Sequence, residues 1–115
     1  MPVELDEFRA LDLWRRTTLS GVRGDKPDLT ARQFALLLTV YMRPPPHTVR
    51  DLAALMNISK PAVTRAVDRL SELELVQRKT DENDRRSVLI QRTLKGRAFL
   101  TDFAGQVIIA GRQVA

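Results

Sequence analysis

Ser59, Lys60, Pro61, Thr64 and Arg65, with Arg69 one turn further on, form a group of donors and turn-setting residues at helical spacing. Lys60, Thr64 and Arg65 carry the N–H and O–H groups that suit phosphate oxygens and the edges of bases. Ser59 is of the type that caps a helix, and the free backbone N–H groups behind it could meet a phosphate. A second group, Asp84, Arg85 and Arg86, lies in the polar run Asp81–Arg86, and Arg50 adds a cation upstream. The chemistry of both groups is recognition of a polyanion. Arg69 and Arg50 suit phosphate contacts or plain surface.

Catalysis has little to work with. The 115 residues contain no Cys and a single His, so thiolate chemistry, disulfides, iron–sulfur clusters and His-rich metal sites are excluded. No phosphate-cradling glycine loop or nucleophile–base pair is present, and Gly21 and Gly24 follow no strand. The reading is a non-enzyme without cofactor or metal. Acids at Glu4, Asp6, Glu7 and Asp12 are wrong for a secretion signal, and the most apolar run, 35–42, is too short to span a bilayer. A cytoplasmic protein with no membrane partner is the expectation. With 43% hydrophobic and 29% charged residues the composition is that of an ordinary folded domain.

The charge is unevenly placed. Residues 1–42 hold six basic and six acidic side chains, and 98–115 hold only Arg112 and Asp102. The whole formal charge of +5 therefore arises in 43–97, where twelve bases face seven acids. A basic segment between neutral flanks is the footprint of a polyanion-binding surface.

The elements that must position these residues follow from spacing and caps. Leu5, Phe8, Leu11 and Trp14 recur at three-residue steps and predict a first helix from about Val3 to Leu19, broken by Gly21, Gly24, Pro27 and Asp28. Thr30 with Gln33 is a capping-box pattern for a helix over Ala31–Met42, which Pro44–Pro46 stop. Thr48 caps a third helix, Val49 to about Met56, with Leu52 and Leu55 facing the core. After a short turn at Asn57 and Ile58, Ser59 caps a longer helix with Pro61 in its first turn. Val63, Val67 and Leu70, with Leu73 beyond, form its buried stripe, and Lys60, Thr64, Arg65 and Asp68 its outer face. The runs 76–80 and 87–92 read as a hairpin with a charged tip, and Thr93 caps a last helix to about Ala110. His47, following three prolines, reads as a surface residue; Trp14 reads as core or dimer interface.

Two helices joined by a tight turn, with a hairpin directly after the second, predict a winged helix-turn-helix, mainly α with a small β-hairpin wing. The first helix and the last (about 3–20 and 93–111) carry wide apolar arcs, which points to burial against a second copy of the chain. The whole of 1–115 reads as one domain. Its function would be sequence-specific binding of double-stranded DNA, with the helix from Ser59 in the major groove. A protein–protein module meeting an acidic partner is the alternative.

The run Thr48-Val-Arg-Asp-Leu-Ala-Ala-Leu-Met-Asn-Ile-Ser-Lys-Pro-Ala-Val-Thr-Arg-Ala-Val-Asp-Arg-Leu resembles the helix-turn-helix of the MarR family of transcriptional regulators. The wing, Asp81-Glu-Asn-Asp-Arg-Arg-Ser-Val-Leu, followed by Thr93-Leu-Lys-Gly96, is similar to that family's signature. The match covers roughly 30–98. The resemblance implies a dimeric repressor or activator on a pseudopalindromic site, with Arg86 entering the minor groove and Asp84 orienting it. In that family effector ligands often bind between the DNA-binding lobe and the dimerisation helices; the sequence specifies neither whether this chain takes one nor which. Two positions depart from the family pattern: Glu74 stands where Gly is usual, and Arg92 where Leu is usual. Only 19 residues follow Gly96, too few for the usual pair of full-length C-terminal helices.

Overall fold

The computed structural model describes residues 4–115 and contains five helices and one hairpin among them. The order is α1 (Glu7–Arg23), α2 (Ala31–Met42), α3 (Val49–Met56), α4 (Lys60–Glu72), β1 (Val76–Thr80), β2 (Val88–Arg92) and α5 (Leu94–Val114). The predicted class, mainly helical with a hairpin, is the observed one. The chain falls into two compact units, one combining the segment that ends at Asp28 with Leu100–Ala115, the other Leu29–Phe99.

In Leu29–Phe99 each helix starts where a side chain relieves an orphan backbone N–H. Thr30 and Gln33 close a full capping box, with Gln33 Oε1 accepting from the Thr30 N–H at 2.9 Å. Thr48 accepts from the Asp51 N–H and Ser59 from the Ala62 N–H. Thr93 Oγ1 accepts from the Gly96 N–H at 2.9 Å. The core is Leu36, Leu37, Val40, Leu52, Val63, Val67, Leu70, Leu75, Val76 and Ile90, all essentially inaccessible. Phe34 and Phe99 pack as a tilted ring pair with centroids 6.0 Å apart.

The hairpin is antiparallel, with Val76 opposite Arg92 and Thr80 opposite Val88. A bridge between Thr48 and Leu89, with the Ile90 N–H donating to the His47 carbonyl at 2.8 Å, adds a minimal third strand at its base.

In the other unit, α1 and the segment that follows it are tied to α5 by polar contacts. Ser20 Oγ lies 2.7 Å from Gln106 Oε1, Arg16 Nη1 3.1 Å from Gln113 Oε1, and Lys26 Nζ 3.2 Å from Asp102. Thr17, Ala110 and Val114 are buried. The apolar row of the first helix is largely uncovered within the chain: Phe8, Leu11 and Trp14 are 77%, 65% and 65% exposed, and Val22, Ile108 and Ile109 are exposed too.

Several expectations need correction. The first helix was predicted from Val3; that residue lies outside the described residues, and the helix begins at Glu7 because Asp6 accepts from the Arg9 N–H. Gly21 does not break it, and it ends at Gly24. Leu55 is half exposed, and Ala53 takes the buried place beside Leu52. Leu73 is only partly covered because α4 ends there, and Leu75 is the residue that enters the core. β2 starts at Val88 rather than Ser87, whose N–H closes the tip by donating to the Asp84 carbonyl. The last helix runs past Ala110 to Val114. His47 is 7% exposed rather than a surface residue; of the two readings of Trp14, core or dimer interface, its exposure removes the core. No helix among the described residues is long and apolar enough to cross a membrane.

Candidate nucleic-acid interface

The turn between α3 and α4 is made by backbone conformation. Asn57 takes the left-handed region at φ 55°, and the Ile58 N–H reaches back to the Ala53 carbonyl. Asn accepts that conformation more readily than most residues. Ser59 then starts α4, with Pro61 in its first turn.

Burial divides α4 cleanly. Ala62, Val63, Ala66, Val67 and Leu70 face inward, and Ser59, Lys60, Pro61, Thr64, Arg65, Asp68 and Arg69 are exposed. The inward residues hold the helix so that the predicted donors point to solvent. Ala62 and Ala66 were not in the predicted stripe; their small side chains are what lets α4 sit close to its neighbours.

The cations differ in whether they are held. Lys60, Arg65, Arg50 and Arg85 have no ion-pair partner among the described residues. Arg69 lies 3.6 Å from Glu72 within α4. At the wing tip Asp84 Oδ1 accepts from the Arg86 backbone N–H at 3.1 Å and lies 3.5 Å from its Nε, while Ser87 Oγ donates to Oδ2 at 3.3 Å. The Arg86 side chain remains 94% exposed. Asp84 thus shapes the tip and holds one edge of the guanidinium, while the rest of the Arg86 side chain extends into solvent.

Arg78 was absent from the predicted set. It forms an ion pair from β1 to Asp68 on α4. Its only sequence signal was its place in a strand beside the helix, and the partner is set by tertiary packing. Among the described residues no group of three or more His, Cys, Asp or Glu could hold a metal ion.

The MarR family model matches residues 28–87, more than half of the chain. The chain belongs to the MarR family. A MarR-family transcriptional regulator from Rhodococcus sp. RHA1 is 26% identical over 92% of this chain and 70% of its own, with a TM-score of 0.65. A mutant MepR from S. aureus shares the fold at a TM-score of 0.75 and 20% identity, covering 96% of this chain and 83% of that one. A mutant MarR from E. coli, complexed with operator DNA, shares it at 0.69 and 24%, covering 94% and 72%. The chain spans from about two thirds (66%) to 83% of the length of matched structures.

The two departures from the MarR-family pattern now have physical accounts. Glu74 adopts φ 62°, the left-handed conformation for which Gly is favoured. The Leu75 N–H bonds the Leu70 carbonyl and the Glu74 N–H the Ser71 carbonyl, so the paired closure of a glycine-type helix end forms without glycine. Arg92 turns its guanidinium onto the end of α2, with Nε donating to the Val40 carbonyl at 2.9 Å.

Proposed function

We propose that this MarR-family regulator binds double-stranded DNA sequence-specifically as a homodimer, with α4 in the major groove and the wing tip at the adjacent minor groove. The observation that carries the reading is the outward face of α4, where Lys60 and Arg65 stand exposed and unpaired among the described residues. A free guanidinium suits bidentate contact with a guanine edge, and a lysine suits a phosphate. Ser59, Pro61 and Thr64 share that face, Arg69 and Arg50 suit phosphates, and Arg85 with Arg86 suits the negative potential of a narrow minor groove. The mutant MarR from E. coli that shares the fold is complexed with operator DNA, which supports the reading.

The homodimer is argued from the exposed apolar residues of α1 and α5, above all Phe8, Leu11, Trp14, Ile108 and Ile109. Large apolar side chains left exposed on both helices suit burial against a second copy. A two-fold pair would place its two α4 helices about one DNA turn apart, roughly 34 Å.

Selection of bound sequences from a random duplex pool tests the proposal directly. A pseudopalindromic consensus, with affinity falling steeply as salt rises, is expected. A flat, weak salt dependence without a consensus would overturn it and favour a module that meets an acidic protein.

A further inference from the structure

We propose that Asp68 determines specificity by holding Arg78 away from DNA phosphates, which suppresses binding to unrelated sequence. The inference rests on the DNA-binding reading above and adds a residue pair that the reading does not use.

The placement of Asp68 is the first observation. At about 100° per residue along a helix, Ala62, Val63, Ala66, Val67 and Leu70 mark one arc of α4. Asp68 lies opposite the middle of that arc, with Thr64 to one side and Arg65 to the other. A carboxylate thus sits at the centre of the surface proposed to meet DNA, where it repels every phosphate it approaches. On a surface meant for a polyanion such a residue is a cost unless something neutralises it.

The placement of Arg78 is the second. Directly opposed residues of an antiparallel pair share a face, and side chains alternate along each strand. Arg78 is opposite the buried Ile90 and two residues from the buried Val76, so it projects from the inward face of the hairpin. From there it reaches across to α4 and pairs with Asp68. Both side chains keep solvent access, at 38% for Arg78 and 54% for Asp68, so the pair lies at the surface where a phosphate could compete for the guanidinium.

The charges therefore sort by role. Lys60 and Arg65 are free to engage DNA, whereas Arg78 is occupied by an acid on the same helix. Attraction to the backbone is sequence-independent, so each cation withheld from phosphates lowers non-specific affinity more than it lowers reading of base edges. Asp68 acts as a positioning residue for Arg78, and the pair joins α4 to the wing while contributing no net charge.

The test uses the full chain, the duplex selected from the random pool, and a scrambled duplex of equal length, with affinities measured across a salt series. Asp68→Asn releases Arg78. For the scrambled duplex the slope of log affinity against log salt should steepen by about 0.9, one phosphate contact, and the ratio of specific to non-specific affinity should fall. Raising salt from 50 to 200 mM should then cost this variant about threefold more affinity than wild type. Arg78→Gln leaves the carboxylate bare and should weaken both duplexes. Asp68→Asn combined with Arg78→Gln has the wild-type net charge and should return the slope to the wild-type value. A pair whose role is only structural would weaken binding from either end and steepen neither slope. The proposal is overturned if Asp68→Asn leaves the scrambled-duplex slope unchanged. It is equally overturned if the double variant loses a contact relative to wild type, since Arg78 would then already serve a phosphate. Wild-type protein with no salt-dependent binding to any duplex would overturn the DNA-binding reading and this inference together, whereas steep wild-type binding with an unmoved Asp68→Asn slope overturns this inference alone.

Discussion

Arg92 and His47 meet at one atom, the backbone carbonyl oxygen of Arg43. Arg92 Nη2 donates to it at 3.1 Å, and His47 Nε2 lies 3.2 Å away, which requires the proton on Nε2. Arg92 also donates to the Val40 carbonyl, and its guanidinium lies 5.9 Å from the centre of the Tyr41 ring. The last turn of α2 has no basic residue of its own, so β2 supplies the cation that its exposed carbonyls favour. The end of α2, the base of the wing and the segment leading into α3 are joined there.

Replacing Arg92 with Leu, the residue usual in the family, should therefore destabilise this chain. Two charge-assisted hydrogen bonds are lost at a partly exposed site, so a loss of about 1 kcal/mol is expected. Urea denaturation should show a lower midpoint with unchanged slope. Arg92→Lys should recover only part of the loss, since an ammonium cannot hold both carbonyls in the same fork.

Gly96→Ala should be more damaging. A β-carbon at 96 would overlap both the Tyr41 hydroxyl and the Leu75 carbonyl oxygen, and the second is backbone. Overpacking of this kind costs about 1–3 kcal/mol. The same hydroxyl accepts from the Thr93 N–H at 2.8 Å, so Tyr41→Phe relieves only part of the clash and leaves a donor unpaired. The double variant is expected to stay below wild type in thermal melts.

Glu74→Gly should act in the opposite direction. The left-handed backbone at 74 is strained for Glu and free of strain for Gly, and nothing ties the Glu74 side chain into an ion pair among the described residues. A gain of about 0.5–1 kcal/mol is expected from calorimetry. A lower melting temperature would mean that the side chain contributes more than its backbone costs.

The DNA-binding reading separates Arg65 from Arg86. Arg65→Ala should weaken the selected sequence by about 1–3 kcal/mol and relax preference at one position. Arg86→Ala should abolish protection of the flanking minor groove in a footprint while leaving the major-groove consensus intact. Unchanged consensus and affinity in Arg65→Ala would remove it from base reading.

Asp12 provides a pH-dependent contact in α1. The side-chain hydrogen bond from Arg16, then that from Arg15, holds its carboxyl below the ordinary aspartate range. A depressed acid stabilises the fold above its unfolded pKa, and that contribution disappears as pH falls through the folded value. NMR titration of the Asp12 carboxyl should show a lowered midpoint. Arg16→Ala should raise it more than Arg15→Ala does.

The features legible in the sequence were those set by local bonds. Thr30, Thr48, Ser59 and Thr93 each accept from a backbone N–H three residues on, so helix starts could be read from residue type and spacing alone. The outward direction of Lys60 and Arg65 followed from the apolar row behind them. What escaped depended on distant partners. His47 is buried because the hairpin base and α2 close around it, and Arg78 finds Asp68 only once β1 lies beside α4. Leu11 and Trp14 had the spacing of a core stripe, yet periodicity cannot say whether the covering surface belongs to the same chain.

The Thr48–Leu89 bridge gives the wing the mechanics of a cantilever. Its root is held by the hydrogen bond from the Ile90 N–H to the His47 carbonyl, while Glu82–Arg86 at the far end stay open to solvent. On the DNA-binding reading, a fixed root and an open tip would let Arg86 follow grooves of differing width while α4 keeps its register.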